Sequence, residues 1–370
     1  MAIDLSAYAA HLIAGLRGQH GTVGLYSALQ RLFLAFGVFA GPQSWFFDAP
    51  FGRFGTLKWL SVSGDAGWLV MEIVSPLAFL YALALPITTS GTQAAASFLR
   101  PLQPAAVLEA WRALPRARAI LTAAFLVHYV NRSVISTLRN PGRARMHIAV
   151  PLSAVLFNIA NGLTLGMYIG GGFGAEGLHA PSPGSQAIGD GLAREAWARP
   201  LFVTGLALWL VGFVSNIYHD EVLYSLKRQR KSSPSDTKKP QDAGADHRQR
   251  YSIPPRSKGL YRFVSHPAYS SEWLEWIGFT LATWALGTSP FPSIASTFAL
   301  AGGGKRLVPL VAELCPLRSW YLQPPVLFVL QEISVMLPRA TRGHWWYEKT
   351  FGRKEWSEKG QKWVVIPGVW

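Results

Sequence analysis

"SSEWLEWIGFTLATW", residues 270–284, decides what kind of molecule this is. The run is apolar enough for a helix in hydrocarbon, yet it carries Glu272 and Glu275 three residues apart. Residues at that spacing share one helical face. An ionised carboxylate in hydrocarbon costs several kcal/mol, so it takes a partner, a proton or water. The stretch therefore reads as a membrane helix with a polar face turned toward something inside the protein.

The composition agrees. Of 370 residues, 50% are hydrophobic and 15% charged, where a soluble domain carries roughly 25% charged residues. One cysteine, Cys315, leaves no internal disulfide. The first residues, "MAIDLSAYAAHLIAGLRGQH", lack a basic segment followed by a long apolar core, so no cleavable signal peptide is expected. The net charge of +15 points to cytosolic loops and an anionic cofactor rather than nucleic acid. The basic residues sit between apolar spans, not on a soluble module.

A membrane helix needs about 20 mostly apolar residues. Seven segments meet that description: 22–41, 66–88, 119–138, 147–170, 201–223, 269–288 and 321–338. The expected fold is an all-α, polytopic bundle of about seven transmembrane helices. The most basic connection follows the fifth segment, and the tail after Pro338 is also basic. By the positive-inside rule both are cytosolic, which leaves the N-terminus across the membrane. The stretch 99–118 then places Arg100, Arg112, Arg116 and Arg118 on the far side, so six spans stand as an alternative.

The chain divides into 1–65, an N-terminal region with the first span; 66–225, spans two to five; 226–268, a basic cytosolic loop; and 269–370, the last two spans and the tail. Residues 231–247, rich in Ser, Lys and Asp, read as a disordered insertion. Residues 289–320 form a second insertion whose apolar part reads as a surface helix on the membrane.

Polar residues recur inside the spans: Glu72, then "HYVNR" at 128–132, Asn158 and Asn161, then Asn216, His219 and Asp220, then Glu272 and Glu275. A single buried Asn is ordinary helix–helix glue. Ionisable residues in consecutive spans point instead to a polar cavity inside the bundle. Soluble cofactor signatures are missing: "AGGGK" at 301–305 has neither the strand before it nor the Ser or Thr after it that a phosphate loop needs. No His/Cys spacing suits zinc, and no nucleophile elbow is present.

Several stretches together resemble the steroid 5α-reductase family, polytopic membrane enzymes that use NADPH to reduce a carbon–carbon double bond conjugated to a ketone. They are "NIYHDEVLYSLK" (216–227), "RYSIPP" (250–255), "GLYRFVSHPAYSSEWLEWIGFTLATW" (259–284), "PRATRGHWWYEKTFG" (338–352) and "KWVVIP" (362–367). "HYVNRSVISTLRNPGR" (128–143) and, more weakly, "GWLVMEIVSP" (67–76) add to them. The resemblance covers about residues 66–370. It implies Glu72 and Tyr129 as the catalytic pair. It implies NADPH contacts by Asn140, Arg143, Asn216, Asp220, Lys227, Tyr251, Glu272, Glu275, Arg339, His344, Tyr347 and Lys362. It also implies an endoplasmic-reticulum membrane, a cytosol-facing cofactor site, a lipophilic substrate entering from the bilayer and no metal.

The chain departs from the family at Ala268, where an Asn is usual, at Gly343, and at Met71 before Glu72. Steroids, polyprenols, enoyl thioesters and specialised-metabolite enones all remain open as substrates. Two other readings stand beside the reductase. "SHPAYSSEW" resembles part of the isoprenylcysteine-type methyltransferases, which use S-adenosylmethionine, although Ser265 replaces their Arg. A non-catalytic protein on a reductase scaffold would accommodate Ala268 but gives no reason for so many buried polar residues.

Overall fold

Proline opens three of the long helices, at Pro200, Pro267 and Pro324, where the first-turn N–H it lacks has no intrahelical partner to lose. A serine cap opens another: the Ser63 hydroxyl accepts from Ala66 N–H, with Asp65 in the first turn. The computed structural model describes residues 13–55, 59–88, 98–170, 196–232, 251–288 and 323–370. The expected insertions at 231–247 and 289–320 lie outside these residues except for Lys231 and Ser232.

In chain order the main helices are α1 (Gly21–Phe46), α2 (Gly64–Leu83), α3 (Pro104–Ala113) and α4 (Arg116–Arg139). They continue with α5 (Ala149–Ile169), α6 (Pro200–Lys231), α7 (Pro267–Thr283), α8 (Pro324–Phe351) and α9 (Arg353–Lys359). Two short strands, β1 (Ser61–Val62) and β2 (Met146–His147), pair antiparallel and tie the entry of α2 to the segment after α4.

The bundle exposes apolar side chains on its surface and buries ionisable and amide side chains among the apolar ones of its core. Leu138, Phe39 and Leu156 are 81%, 74% and 70% exposed, whereas Glu275 and Asn161 are 0% exposed. Such a surface needs hydrocarbon around it. Five helices, α1, α2, α4, α5 and α6, are long and apolar enough to cross a membrane. The expected sixth and seventh spans correspond to α7 and α8, which pack into the same bundle. Among the described residues, five of the expected seven thus have the length and hydropathy of a membrane span. Helix α8 runs past the apolar segment ending at Pro338 because its charged second half stays packed: Tyr347, Phe351 and Trp356 form their own buried cluster.

Helices α6 and α7 make the most extensive contact, through glycine. A methyl added at Gly212 would lie 2.4 Å from the Glu275 backbone N, and one at Gly278 2.4 Å from the Trp209 backbone N. Close approach of this kind replaces the hydrophobic driving force that lipid removes. It also sets Glu272 and Glu275 against the centre of the bundle.

Candidate active site

Helix α4 widens into a π-turn at Asn131–Ile135, two residues after Tyr129. Such turns recur at functional sites because they release a backbone group and re-aim side chains. Here the Ser133 hydroxyl donates to the Tyr129 carbonyl at 2.6 Å. Arg132 turns inward, with Nε 3.6 Å from Glu72 Oε1 on α2 and Nη2 3.6 Å from Glu272 Oε2 on α7. One guanidinium thus joins three helices. Its carbonyl accepts from Trp68 Nε1 at 3.1 Å, and its charge lies 4.9 Å from the Trp68 ring.

The Tyr129 hydroxyl is held from α5. Asn161 Nδ2 donates to it at 2.9 Å, and it donates to Asn158 Oδ1 at 3.4 Å. Asn158 Nδ2 in turn donates to the Met71 carbonyl at 2.6 Å, one residue before Glu72. Glu72 and Tyr129 share no hydrogen bond, but both line an inner cavity of about 130 Å³ with Glu272 and Glu332. His128 lines the same cavity, with Nδ1 2.7 Å from Glu275 Oε1 and Nε2 4.0 Å from Glu272 Oε1. Asn216 Nδ2 donates to Glu272 Oε2 at 3.3 Å and to the Ala268 carbonyl at 3.1 Å.

An outer cavity of about 550 Å³ meets the inner one at Glu72, Arg132, Phe157 and Glu332. Its polar wall includes Asn140, Arg143, Asp220, Arg339, Arg342 and Tyr347. Its apolar wall includes Phe36, Phe51, Phe54, Phe157, Val335 and Met336. Arg143 is fixed by Asp65 Oδ1 at 3.3 Å and Ser136 Oγ at 3.0 Å, and its charge lies 4.6 Å from the Trp68 ring. Burial pulls the Arg143 guanidinium below its ordinary pKa, with Asp65 acting in the opposite direction. An arginine starts so high that it keeps its charge.

A segment before α2 closes one side. Arg339 Nη2 donates to the Phe51 carbonyl at 3.3 Å, its charge 3.6 Å from the Phe51 ring. Arg342 donates to Asp48 and, at 3.3 Å, to the Phe47 carbonyl.

The residues anticipated from sequence divide by position. Glu72, Tyr129, Asn140, Arg143, Asp220, Glu272, Arg339 and Tyr347 line the two cavities. Asn216 and Glu275 stand one layer behind Glu272 and His128. Lys227 braces Asn140 Oδ1 at 3.4 Å and the Gly142 carbonyl. His344 Nδ1 lies 2.9 Å from Ser265 Oγ, a cavity residue, and Tyr251 packs on Trp346 beside Tyr347. Lys362 lines a separate surface concavity. The sequence reading missed Glu332, Arg342 and the Phe47–Phe54 segment. Glu332 had a signal, an acidic residue within "VLFVLQEISVMLP". The segment had none, because its role depends on contacts with α8 almost 290 residues away.

The family model described as 3-oxo-5-alpha-steroid 4-dehydrogenase matches residues 144–301. An uncharacterized protein, C9.08c, of Schizosaccharomyces pombe is 32% identical over 341 residues, 88% of this chain and 94% of that one. The chain belongs to the steroid 5α-reductase family. It is a divergent member: 3-oxo-5-alpha-steroid 4-dehydrogenase 1 of Rattus norvegicus is 26% identical over 91% of this chain and 92% of its own length. Steroid 5-alpha-reductase DET2 of Arabidopsis thaliana is 26% identical over 90% and 94%. For this reductase-family chain the family-model match takes in α5, α6 and α7, and with them Asn158, Asn161, Asn216 and Glu272. Glu72, Tyr129 and Arg132 lie before it and Arg339 after it, so the candidate site also draws on α2, α4 and α8, outside the matched range.

Proposed function

We propose that the protein reduces a carbon–carbon double bond conjugated to a carbonyl in a lipophilic substrate, with NADPH as reductant. The observation that carries this reading is the Tyr129 hydroxyl, fixed by two amides at the inner end of a cavity whose outer wall is rich in arginine. The volume of about 550 Å³ lies within the range of cofactor sites. Arg143, Arg339 and Arg342 suit the phosphates of a dinucleotide, and Asn140, Asp220 and Tyr347 suit its hydroxyl and amide groups. The residues present therefore fit NADPH, which when bound supplies the hydride for the β-carbon.

Tyr129 acts where charge develops. As the double bond is saturated, negative charge moves to the carbonyl oxygen, and a positioned hydroxyl stabilises it there. The bond to Asn158 Oδ1, at 3.4 Å, is long, so the proton can turn toward a carbonyl oxygen at little cost. Asn161 keeps donating to the phenol oxygen and holds its place. Glu72 holds the Arg132 guanidinium at the inner cavity beside Tyr129. The apolar wall around Phe36, Phe157 and Met336 excludes water and receives the hydrocarbon body.

The relatives named for steroid reduction support a 3-oxo-4-ene steroid or a similar enone as substrate. We place α7 and α8 across the membrane with the other five helices, in the endoplasmic reticulum, with the arginine-rich mouth toward the cytosol and substrate arriving from the bilayer. The test is ligand-dependent melting of the purified full chain in detergent. NADPH at saturation should raise Tm by about 5 °C or more. NADH should do less, and S-adenosylmethionine nothing. Stabilisation by S-adenosylmethionine alone would replace this reading with methyl transfer.

A further inference from the structure

A second concavity, of about 770 Å³, is lined by Arg256, Ser257, Gly259, Arg262, Lys362 and Trp363. It shares no residue with either cavity of the active site. Its lining holds three cations and no carboxylate, and among the described residues none of the three has an acidic partner within 4.0 Å.

The concavity is held by backbone bonds. Arg256 Nε donates to the Gly360 carbonyl at 2.6 Å. Trp363 N–H donates to the Phe263 carbonyl at 3.1 Å, and Ser265 N–H to the Trp363 carbonyl at 3.0 Å. Among the described residues, Arg262 lies 5.7 Å from the Phe263 ring and Lys362 4.9 Å from the Trp363 ring.

Its depth in the membrane follows from α6. The exposed apolar residues of that helix run from Leu201 through Val214 to Tyr218. Beyond them lies Glu221, ion-paired with Arg139 and Arg228. The hydrocarbon boundary therefore falls near Tyr218. Gly259 sits at that level: a methyl added there would lie 2.8 Å from Tyr218 Cε1, and Leu260 N–H donates to His219 Nε2 at 2.9 Å. Beside the cations, Leu260, Phe263 and Ile366 are exposed. Cations against exposed apolar groups at the edge of hydrocarbon match a phospholipid, with phosphate in the concavity and acyl chains on the flank.

We propose that this concavity binds the phosphate of an anionic phospholipid. The recognition is independent of the reductase site. The probes are phosphatidylserine and phosphatidylcholine of identical chains, and inorganic phosphate, each added to the full chain in non-ionic detergent with Tm as readout. Phosphatidylserine should raise Tm by several degrees, while phosphatidylcholine and phosphate leave it within about 1 °C. The double variant Arg262→Gln/Lys362→Gln should melt where the native protein does without lipid, yet lose the phosphatidylserine increment. If the double variant melts lower, Arg262→Gln and Lys362→Gln alone should each remove part of the increment. An increment that persists in these variants overturns the proposal. So does an equal response to inorganic phosphate, which would make this a free-anion site, or to phosphatidylcholine, which would remove the role of charge.

Discussion

The Asn161 side chain on α5 donates a 2.9 Å hydrogen bond to the Tyr129 hydroxyl on α4, deep inside a bundle whose outer surface is apolar. That bond fills an acceptor position on the phenol oxygen and leaves its single proton free to be donated. Asn158 Oδ1 accepts that proton at 3.4 Å. A substrate carbonyl that enters the inner cavity competes for a weakly held proton, which is the arrangement an enolate-forming reduction requires.

Tyr129→Phe keeps the ring against Phe125 and Trp276 and removes only the hydroxyl. Turnover should fall by about 100-fold or more, the usual effect of deleting one donor to a developing oxyanion. Tm should fall by a few degrees at most, for the two amides left short of a partner, and its rise with NADPH should stay. Single-turnover kinetics beside a melting curve separates the two effects.

His128 lines the inner cavity, and Glu275, 2.7 Å behind it and buried, holds its ring from the next layer. Removing one partner leaves the other buried without its hydrogen bond and costs about 1–3 kcal/mol. Glu275→Ala should therefore lower Tm and yield. Glu275→Gln retains an acceptor for the imidazole N–H and should recover most of the loss. Equal melting of Glu275→Ala and the native protein would remove the structural role.

Gly212 faces the Glu275 backbone so closely that an added methyl would lie 2.4 Å from its N. Gly212→Ala should part α6 from α7 and cost about 1–3 kcal/mol through overpacking. Activity should fall with it, since Asn216 and Glu272 are 3.3 Å apart across the same contact. Melting temperature and turnover of this one variant check both statements.

Arg143, fixed by Asp65 and Ser136 on the outer cavity wall, should act on cofactor affinity rather than chemistry. Arg143→Ala should raise the KM for NADPH about 10-fold or more and change kcat much less, because the lost bond is made equally in the ground and transition states. A fall in kcat with unchanged KM would assign Arg143 to the reacting end.

The helices were legible because apolar length is a local property. The segment 147–170 returns as Ala149–Ile169, and 66–88 begins within two residues of Gly64. Glu272 was legible for the same reason, a charge where hydrocarbon forbids one. What could not be read is which neighbour each charge meets. Nothing local pairs His128 with Glu275, 147 positions apart, and the i, i+3 spacing that united Glu272 and Glu275 gave them one face but not two different depths. The π-turn after Tyr129 also leaves no pattern, since "NRSVIS" has no Pro or Gly to announce a break. The closing segment around Phe51 is fixed by arginines of α8 and has meaning only once the chain has folded.

The most direct test follows the hydrogen. The purified protein would be given a 3-oxo-4-ene steroid and NADPH deuterated on the transferring face of its nicotinamide, and the product read by mass spectrometry and NMR. The account predicts a saturated ketone with one deuterium at the β-carbon and a solvent-derived proton at the α-carbon, lost about 100-fold in Tyr129→Phe. Saturated product without cofactor deuterium, or full activity in Tyr129→Phe, would contradict it.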